Sequence, residues 1–116
     1  MGKQMTEMLK GTLEGIVLAI LALRPAYGYG ITARLREAGF ADIAEGTVYA
    51  LLVRIEKRGF VDVEKVASEK GPPRKVYSLN AHGSDYLAEF WNTWDFLADH
   101  IGQLRQLVEK PPKERA

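Results

Sequence analysis

The stretch from residue 45 to residue 79 constrains the fold of this chain more than any other. It begins with a short amphipathic helix that Gly59 ends. The apolar residues of this helix share one face: Val48, Leu51, Leu52 and Ile55. Two segments with period-two alternation follow, Phe60–Val66 and Lys75–Leu79, joined by a loop with a basic end at Lys70 to Lys75. A helix with one polar face, backed by such a hairpin, predicts a winged helix-turn-helix and points to nucleic acid rather than catalysis.

Length and composition limit the alternatives. A chain of 116 residues fits one domain with an appended helix. Hydrophobic residues make up 47% and charged residues 27%, the balance of a globular rather than a disordered chain. Cysteine is absent, which excludes disulfides and thiolate metal sites. We expect no metal and no cofactor.

The net charge is only +1, but the positive charge is concentrated locally. Between residues 54 and 75, cations outnumber acids. The cations are Arg54, Lys57, Arg58, Lys65, Lys70, Arg74 and Lys75, against Glu56, Asp62, Glu64 and Glu69. Local charge decides phosphate binding, so a small net charge is compatible with a DNA partner.

The longest wholly apolar run is Ile16–Leu23, far short of the roughly 20 residues that span a bilayer. Glu7 and Glu14 flank this run, and no small-residue cleavage pattern follows it. We therefore expect no membrane association and a cytoplasmic location.

Two further helices precede residue 45. We expect residues 1–8 to be loosely ordered and a helix to run from about Leu9 to Leu23, where Arg24-Pro25 ends it. A turn over residues 26–30 leads into a second helix that ends at Gly39, and residues 40–44 form the connection. Residues 1–79 form the predicted DNA-binding domain, with its first helix also in the dimer interface.

The last predicted helix runs from the N-cap Asn80 to about Lys110, followed by a disordered tail over residues 111–116. Its apolar residues recur with alternating spacings of three and four: Leu87, Phe90, Trp94, Leu97, Ile101, Leu104 and Val108. This is a coiled-coil seam that a domain of this size has little material to cover. We predict a homodimer that pairs through the first six of these residues. The fold class is thus mainly α with a small β-hairpin wing, plus a coiled-coil-like C-terminal dimerisation helix.

The polar face of the 45–57 helix supplies the predicted base contacts. Early residues of a recognition helix touch base edges and later ones reach phosphates. Thr47 and Tyr49 are the groove candidates, and Arg54, with Lys57 the weaker candidate, would hold the backbone. Ala50 and Val53 suit thymine methyl groups, although an exposed valine is equally explained as a tolerated surface residue.

In the wing, Lys70, Arg74 and Lys75 are the candidate contacts, and Pro72-Pro73 stiffens the loop ahead of the latter two. The alternative is an ordinary solvated hairpin. Tyr29, which opens the second helix, completes the set of predicted DNA contacts.

These residues resemble the PadR family of winged-helix transcriptional regulators over roughly residues 9–107. The motifs that carry the resemblance are Gly28-Tyr29-Gly30-Ile31, Gly46-Thr47-Val48-Tyr49, Arg54-Ile55-Glu56-Lys57-Arg58-Gly59-Phe60-Val61 and Pro73-Arg74-Lys75-Val76-Tyr77-Ser78-Leu79, followed by Gly83. The single C-terminal helix is similar to that of the small subgroup. Ala44 departs from the family pattern, in which a serine or asparagine often caps the helix.

The resemblance implies a dimeric repressor that binds a pseudo-palindromic operator in double-stranded DNA. It places Thr47 and Tyr49 near DNA, with Arg74 and Lys75 against the backbone or minor groove. It also implies a hydrophobic, aromatic effector at the dimer interface, stacked on Trp94 with Trp91 beside it. Alternatively, these two rings only pack the dimer core, and Phe90 and Trp91 fill the cavity.

The alternatives to DNA binding are an enzyme and a protein-contact module. An enzyme has no support, because His82 and His100 stand eighteen residues apart and no serine has a triad context. The remaining alternative is a winged helix used for protein contacts without DNA readout. The salt dependence of DNA binding discriminates between a DNA-reading winged helix and one used only for protein contacts.

Overall fold

The computed structural model describes residues 2–110, which form five α-helices and one three-stranded antiparallel sheet. The helices are α1 (Lys3–Leu9), α2 (Leu13–Leu23), α3 (Gly28–Glu37), α4 (Glu45–Lys57) and α5 (Ala81–Glu109). The strands are β1 (Ala26–Tyr27), β2 (Val61–Val66) and β3 (Arg74–Leu79), in the order β1-β3-β2. The winged helix-turn-helix with a long C-terminal helix is confirmed. The predicted tail over residues 111–116 lies outside the described residues.

The N-terminal segment differs from the prediction. Lys3–Leu9 is helical, so the loose order expected for residues 1–8 is wrong over most of that range. Leu9 closes α1 instead of opening the next helix, and residues 10–12 form a turn before α2. Gly11 favours this break because glycine is a poor helix former. Leu23, the last residue of the apolar run and of α2, is exposed.

A third strand escaped the sequence analysis. Ala26 and Tyr27, predicted as a turn, pair antiparallel with Tyr77 and Val76 of β3. Two residues are too few to show alternation, so no sequence pattern could mark them as a strand. This pairing fixes the segment ahead of α3 against the wing.

The core surrounds α2, which α3, β3 and α5 contact. Val17 and Leu18 of α2 are fully buried, as are Ile31 and Leu35 of α3. The predicted apolar face of α4 joins them: Val48, Leu51, Leu52 and Ile55 are all buried. The core thus holds α4 by one face and leaves its opposite face in solvent.

Helix α5 is anchored to the domain by its first three turns. The Asn80 side chain caps it by accepting a hydrogen bond from the Gly83 backbone N–H at 2.8 Å, as predicted. Leu87 is buried in the protomer core, and the Phe90 ring packs against Gly15 of α2. The prediction that Leu87 lies in the dimer interface is therefore corrected, because this side chain is buried within one protomer. Phe90, the next residue of the seam, already has a partner in the same chain. From Trp91 to Glu109 only Gly102 is even half-buried.

Candidate nucleic-acid interface

The connection between α3 and α4 fixes how α4 is presented. Ile43 in this connection is 1% exposed, and its carbonyl accepts a hydrogen bond from Arg36 Nη2 at 3.1 Å. Gly39, with φ of 114°, occupies the left-handed region that ends α3. Ala44 stands at the N-cap of α4 without a side-chain hydrogen bond, as its methyl group requires. The buried face of α4, rather than its cap, holds the helix in place.

The solvent face of α4 carries a stripe of four exposed residues spaced by four, three and four: Gly46, Ala50, Val53 and Lys57. Open space surrounds Gly46. Val53 is 52% exposed, which agrees with its prediction as a residue without a core role. The stripe is small at its start, apolar in the middle and cationic at its end. A surface of this shape can approach base edges closely without a large side chain in the way.

Beside this stripe, an open groove of about 740 Å³ separates α4 from the wing. The predicted contacts that line it are Tyr29, Tyr49, Lys70, Arg74 and Lys75. Pro72 and Pro73 form part of its wall. Tertiary structure thus brings together residues from α3, α4 and the wing that lie far apart in the sequence.

Arg74, which lines this groove, contacts two tyrosines. The Tyr27 and Tyr29 rings stack in parallel, with centroids 5.6 Å apart and an interplanar angle of 4°. The Arg74 guanidinium lies 5.4 Å from the Tyr29 centroid and donates a hydrogen bond from Nη1 to the Tyr29 hydroxyl at 3.2 Å. Cation–π contact and hydrogen bonding together restrict the rotamers of a flexible side chain. Arg74 is therefore oriented before any ligand arrives.

The remaining predicted contacts lie on the other side of α4. Thr47, Ala50 and Arg54 line a second groove, of about 680 Å³, whose opposite wall includes residues of α1 and α2. The structure therefore does not gather all predicted contacts into one site. It arranges them along both sides of the exposed stripe, with Ala50 and Val53 in the stripe itself.

Several of the cations on this surface have carboxylate partners. Lys75 Nζ lies 3.8 Å from Glu56 Oε1, and Arg54 Nη1 lies 3.7 Å from Glu14 Oε2. Within residues 2–110, no ion pair involves Lys57, Lys70 or Arg74. These three cations can meet phosphate without first losing a carboxylate.

Tyr77 lies beneath the groove and has a perturbed ionisation. Burial raises the pKa of its phenol above the ordinary tyrosine value, and the nearby Glu56 carboxylate and Tyr49 raise it further. Tyr77 is therefore the neutral phenol at physiological pH, and it adds no charge to the floor of the groove.

The predicted effector residues lie on α5, outside this surface. Trp91 is 45% exposed and Trp94 48% exposed, and the Trp91 ring meets the Phe90 ring edge-on at 5.3 Å. Over residues 2–110, no cluster of three or more His, Asp or Glu residues is arranged to hold a metal ion. In the same residues, no helix is both long and apolar enough to cross a bilayer.

Sequence reasoning did not assign three residues of this region. Tyr27 completes the aromatic stack under Arg74, but only its pairing with β3 places it there. Glu14 and Arg58 form an ion pair across 44 residues of sequence, and no local pattern indicates such a contact.

The helices and the three-stranded sheet define a winged helix-turn-helix protein, and the exposed stripe of α4 with the wing arginine is its candidate DNA-binding surface. Residues 17–89 match the family model described as the transcriptional regulator PadR-like family. The chain therefore belongs to the PadR-like family, and it is a DNA-binding transcriptional regulator, not an enzyme.

Solved structures support this assignment. A PadR family transcriptional regulator from Eggerthella lenta is similar with a TM-score of 0.81 and 33% identity, covering 89% of each chain. A Streptococcus transcriptional regulator is 39% identical with a TM-score of 0.75, covering 84% of this chain and 96% of its own. A PadR-like regulator from Bacillus cereus is 36% identical with a TM-score of 0.76, covering 86% and 97% respectively.

Proposed function

We propose that this regulator is a homodimeric repressor that binds a pseudo-palindromic operator through α4 and the wing. The observation that carries the proposal is the position of the α4 stripe beside the wing groove. An exposed helix face with small residues at its start stands next to a preoriented arginine and to Lys70, which has no ion pair within residues 2–110. We place this regulator in the cytoplasm, where it binds its operator.

Each predicted contact has a role in this proposal. Thr47 and Tyr49 contact base edges, and Ala50 and Val53 face thymine methyl groups. Lys70, Arg74 and Lys75 contact the sugar-phosphate backbone from the wing, and Arg54 does so from α4. Tyr29 orients Arg74, and it is the only residue of the set that acts mainly through another.

The dimer is proposed from the exposed seam of α5. Beyond Phe90 the seam consists of apolar residues that are 45% to 81% exposed: Trp94, Leu97, Ile101, Leu104 and Val108. Burying one such side chain stabilises by about 1.5–3 kcal/mol, so leaving five in water is costly unless a partner covers them. A second copy of the chain offers an identical seam at the same spacing, as coiled coils require. Leu87 and Phe90 support this interface from within the protomer, where they fix the start of α5.

Two-fold symmetry then determines the form of the operator. A symmetric dimer presents two copies of α4 related by the dimer axis, so its two half-sites are inverted repeats. Two recognition helices must lie about 34 Å apart to enter successive major grooves on one face of B-DNA.

The rival function is a winged helix used only for protein contacts. A pull-down of chromosomal fragments identifies the bound DNA, and fluorescence anisotropy then measures affinity across a salt series. We expect log affinity to fall steeply and linearly with log salt concentration, since phosphate contacts release counterions. A flat, weak response at every salt concentration would favour the rival. A reporter gene placed behind the bound operator tests repression. Its expression should increase when the regulator is deleted.

The proposal also includes a flat apolar or aromatic effector at the dimer interface. This effector stacks on Trp94, with Trp91 beside it. Both rings are about half-exposed at the point where α5 leaves the domain. An effector relieves repression only as far as it binds the DNA-incompetent dimer better than the competent one. Titration of planar cationic dyes against tryptophan fluorescence tests this, and identical quenching curves for the wild type and Trp94→Ala would exclude Trp94 as the platform.

A further inference from the structure

A nearly buried carboxylate on α2 holds two arginines of the recognition-helix region. The Glu14 side chain is 12% exposed. Its Oε1 accepts a hydrogen bond from Arg58 Nη1, and its Oε2 lies 3.7 Å from Arg54 Nη1. One acid thus faces two cations, and the cluster carries one positive charge in excess.

The two arginines are not held equally. The Arg58 guanidinium also lies 4.7 Å from the Phe60 ring centroid and 4.9 Å from the Tyr86 ring centroid. Arg58 is therefore retained by a hydrogen-bonded carboxylate and by two aromatic faces at once. Arg54 has only the longer contact with Glu14, and its side chain is 62% exposed. An ion pair at such a distance, with the cation largely exposed, is weak.

The position of Arg54 on α4 gives it a second possible partner. It follows Val53 directly and stands four residues after Ala50, at the edge of the exposed stripe that faces away from the wing. From this edge a long arginine side chain reaches either the α2 carboxylate or a phosphate beside the groove that α4 enters. Arginine binds phosphate in a bidentate, charge-assisted manner, which is stronger than its present contact.

We propose that Glu14 is a positioning residue that holds Arg54 in the DNA-free protein and releases it to a DNA phosphate, while Arg58 stays behind to neutralise the carboxylate. The exchange leaves no bare charge on α2, because Arg58 keeps its hydrogen bond. Glu14 thereby lowers the affinity for DNA by the cost of releasing Arg54. This inference rests on the proposed entry of α4 into the major groove.

The first test compares the two arginines by their salt dependence on the isolated operator. We expect Arg54→Gln to lower the slope of log affinity against log salt by about 0.9 for each protomer, the value of one lost phosphate contact. Arg58→Gln, made in a Glu14→Gln background so that no bare carboxylate retains Arg54, is expected to leave the slope of that background unchanged, since Arg58 does not contact the DNA. Equal losses of slope for the two variants would overturn the exchange.

The second test is a double-mutant cycle on operator affinity. We expect Glu14→Gln to tighten binding by about two- to fivefold for each protomer, the range that a weak exposed ion pair represents. In the Arg54→Gln background the same change is expected to have no effect. Glu45→Gln is the matched control, because it removes an exposed acid from the start of α4 that has no ion pair within the described residues. Any gain from Glu45→Gln should persist without Arg54, since general repulsion does not depend on that side chain.

The outcomes separate this inference from the proposed function. Equal gains from Glu14→Gln with and without Arg54 would overturn the exchange alone, as would weaker binding by a folded Glu14→Gln variant. If Glu14→Gln does not fold, Arg54→Gln alone still decides, because an unchanged salt slope in that variant would overturn the exchange. If both Arg54→Gln and Tyr49→Ala retained operator affinity, the placement of α4 in the major groove would be refuted, and with it the proposed function itself.

Discussion

The Arg74 guanidinium lies over the Tyr29 ring and donates a hydrogen bond to the hydroxyl of the same residue. This pair joins the wing to the first turn of α3, which the sequence separates by 45 positions. The Tyr27 ring stacks on the Tyr29 ring and also lies 6.0 Å from the guanidinium, so the arginine contacts a pair of packed rings. The wing is therefore positioned by side-chain contacts with the helical part of the domain as well as by the sheet.

We expect Tyr29→Phe to weaken operator binding by about two- to tenfold, since it removes a hydrogen bond worth roughly 0.5–1.5 kcal/mol and leaves the stacking ring in place. The salt slope should stay the same, because Arg74 still contacts its phosphate. Arg74→Gln, by contrast, should also lower the slope by about 0.9 per protomer. Anisotropy titrations over a salt series measure both, and a changed slope in Tyr29→Phe would contradict the orienting role.

Tyr49→Ala should lose operator affinity while the dimer stays intact. Tyr49 is 60% exposed, and its loss removes no core contact. A lost base contact costs about 1–3 kcal/mol, so a loss of about five- to 150-fold is expected for each half-site. Thr93→Ala, an exposed change on α5, serves as the control and should bind as the wild type does. Retained binding by Tyr49→Ala would refute the placement of α4 in the groove.

Ile101→Asp should dissociate the dimer. Ile101 is 61% exposed in the protomer and lies in the middle of the α5 seam, where a carboxylate would have to be buried against the partner. Sedimentation equilibrium should give the mass of one chain for this variant and of two chains for the wild type. Gln103→Asp adds the same charge on the outer face of α5, away from the seam, and should remain dimeric. A monomeric wild type would refute the proposed assembly.

Gly83→Ala should destabilise the fold strongly. A Cβ at this position would overlap the backbone carbonyl oxygen of Phe60, which cannot rotate away as a side chain can. Overpacking of this kind costs about 1–3 kcal/mol or more. Gly102→Ala on the same helix is the matched control, since nothing lies within 4 Å of its added methyl group. Thermal unfolding should show a lower midpoint for Gly83→Ala and no lowering of the midpoint for Gly102→Ala.

Stability should fall at alkaline pH because of Tyr77. Burial raises the pKa of its phenol in the folded state, so the folded protein holds this proton more tightly than the unfolded chain does. The contribution is fully present below the ordinary tyrosine pKa of about 10 and is lost as the pH rises above it. Urea unfolding at increasing pH measures the loss, and Tyr77→Phe should show a smaller one. Identical pH profiles for the two proteins would contradict this assignment.

The sequence alone determined the elements that its local patterns describe. The spacing of Val48, Leu51, Leu52 and Ile55 predicted both α4 and its buried face. Gly39 and Gly59 marked helix ends, and both have a positive φ that glycine adopts without strain. Asn80 predicted the start of α5 because an N-cap depends only on residues within one turn.

Tertiary structure alone decided which distant residues meet. The pairing of β1 with β3 places Tyr27 near Arg74, and the common hydrophobic core of the domain brings Glu14 of α2 to Arg54 and Arg58. The a/d spacing of α5 likewise could not show that Leu87 is buried within the protomer while Ile101 is left exposed. Periodicity reports which residues share a face of one helix, whereas the neighbour that covers the face depends on how the whole chain packs.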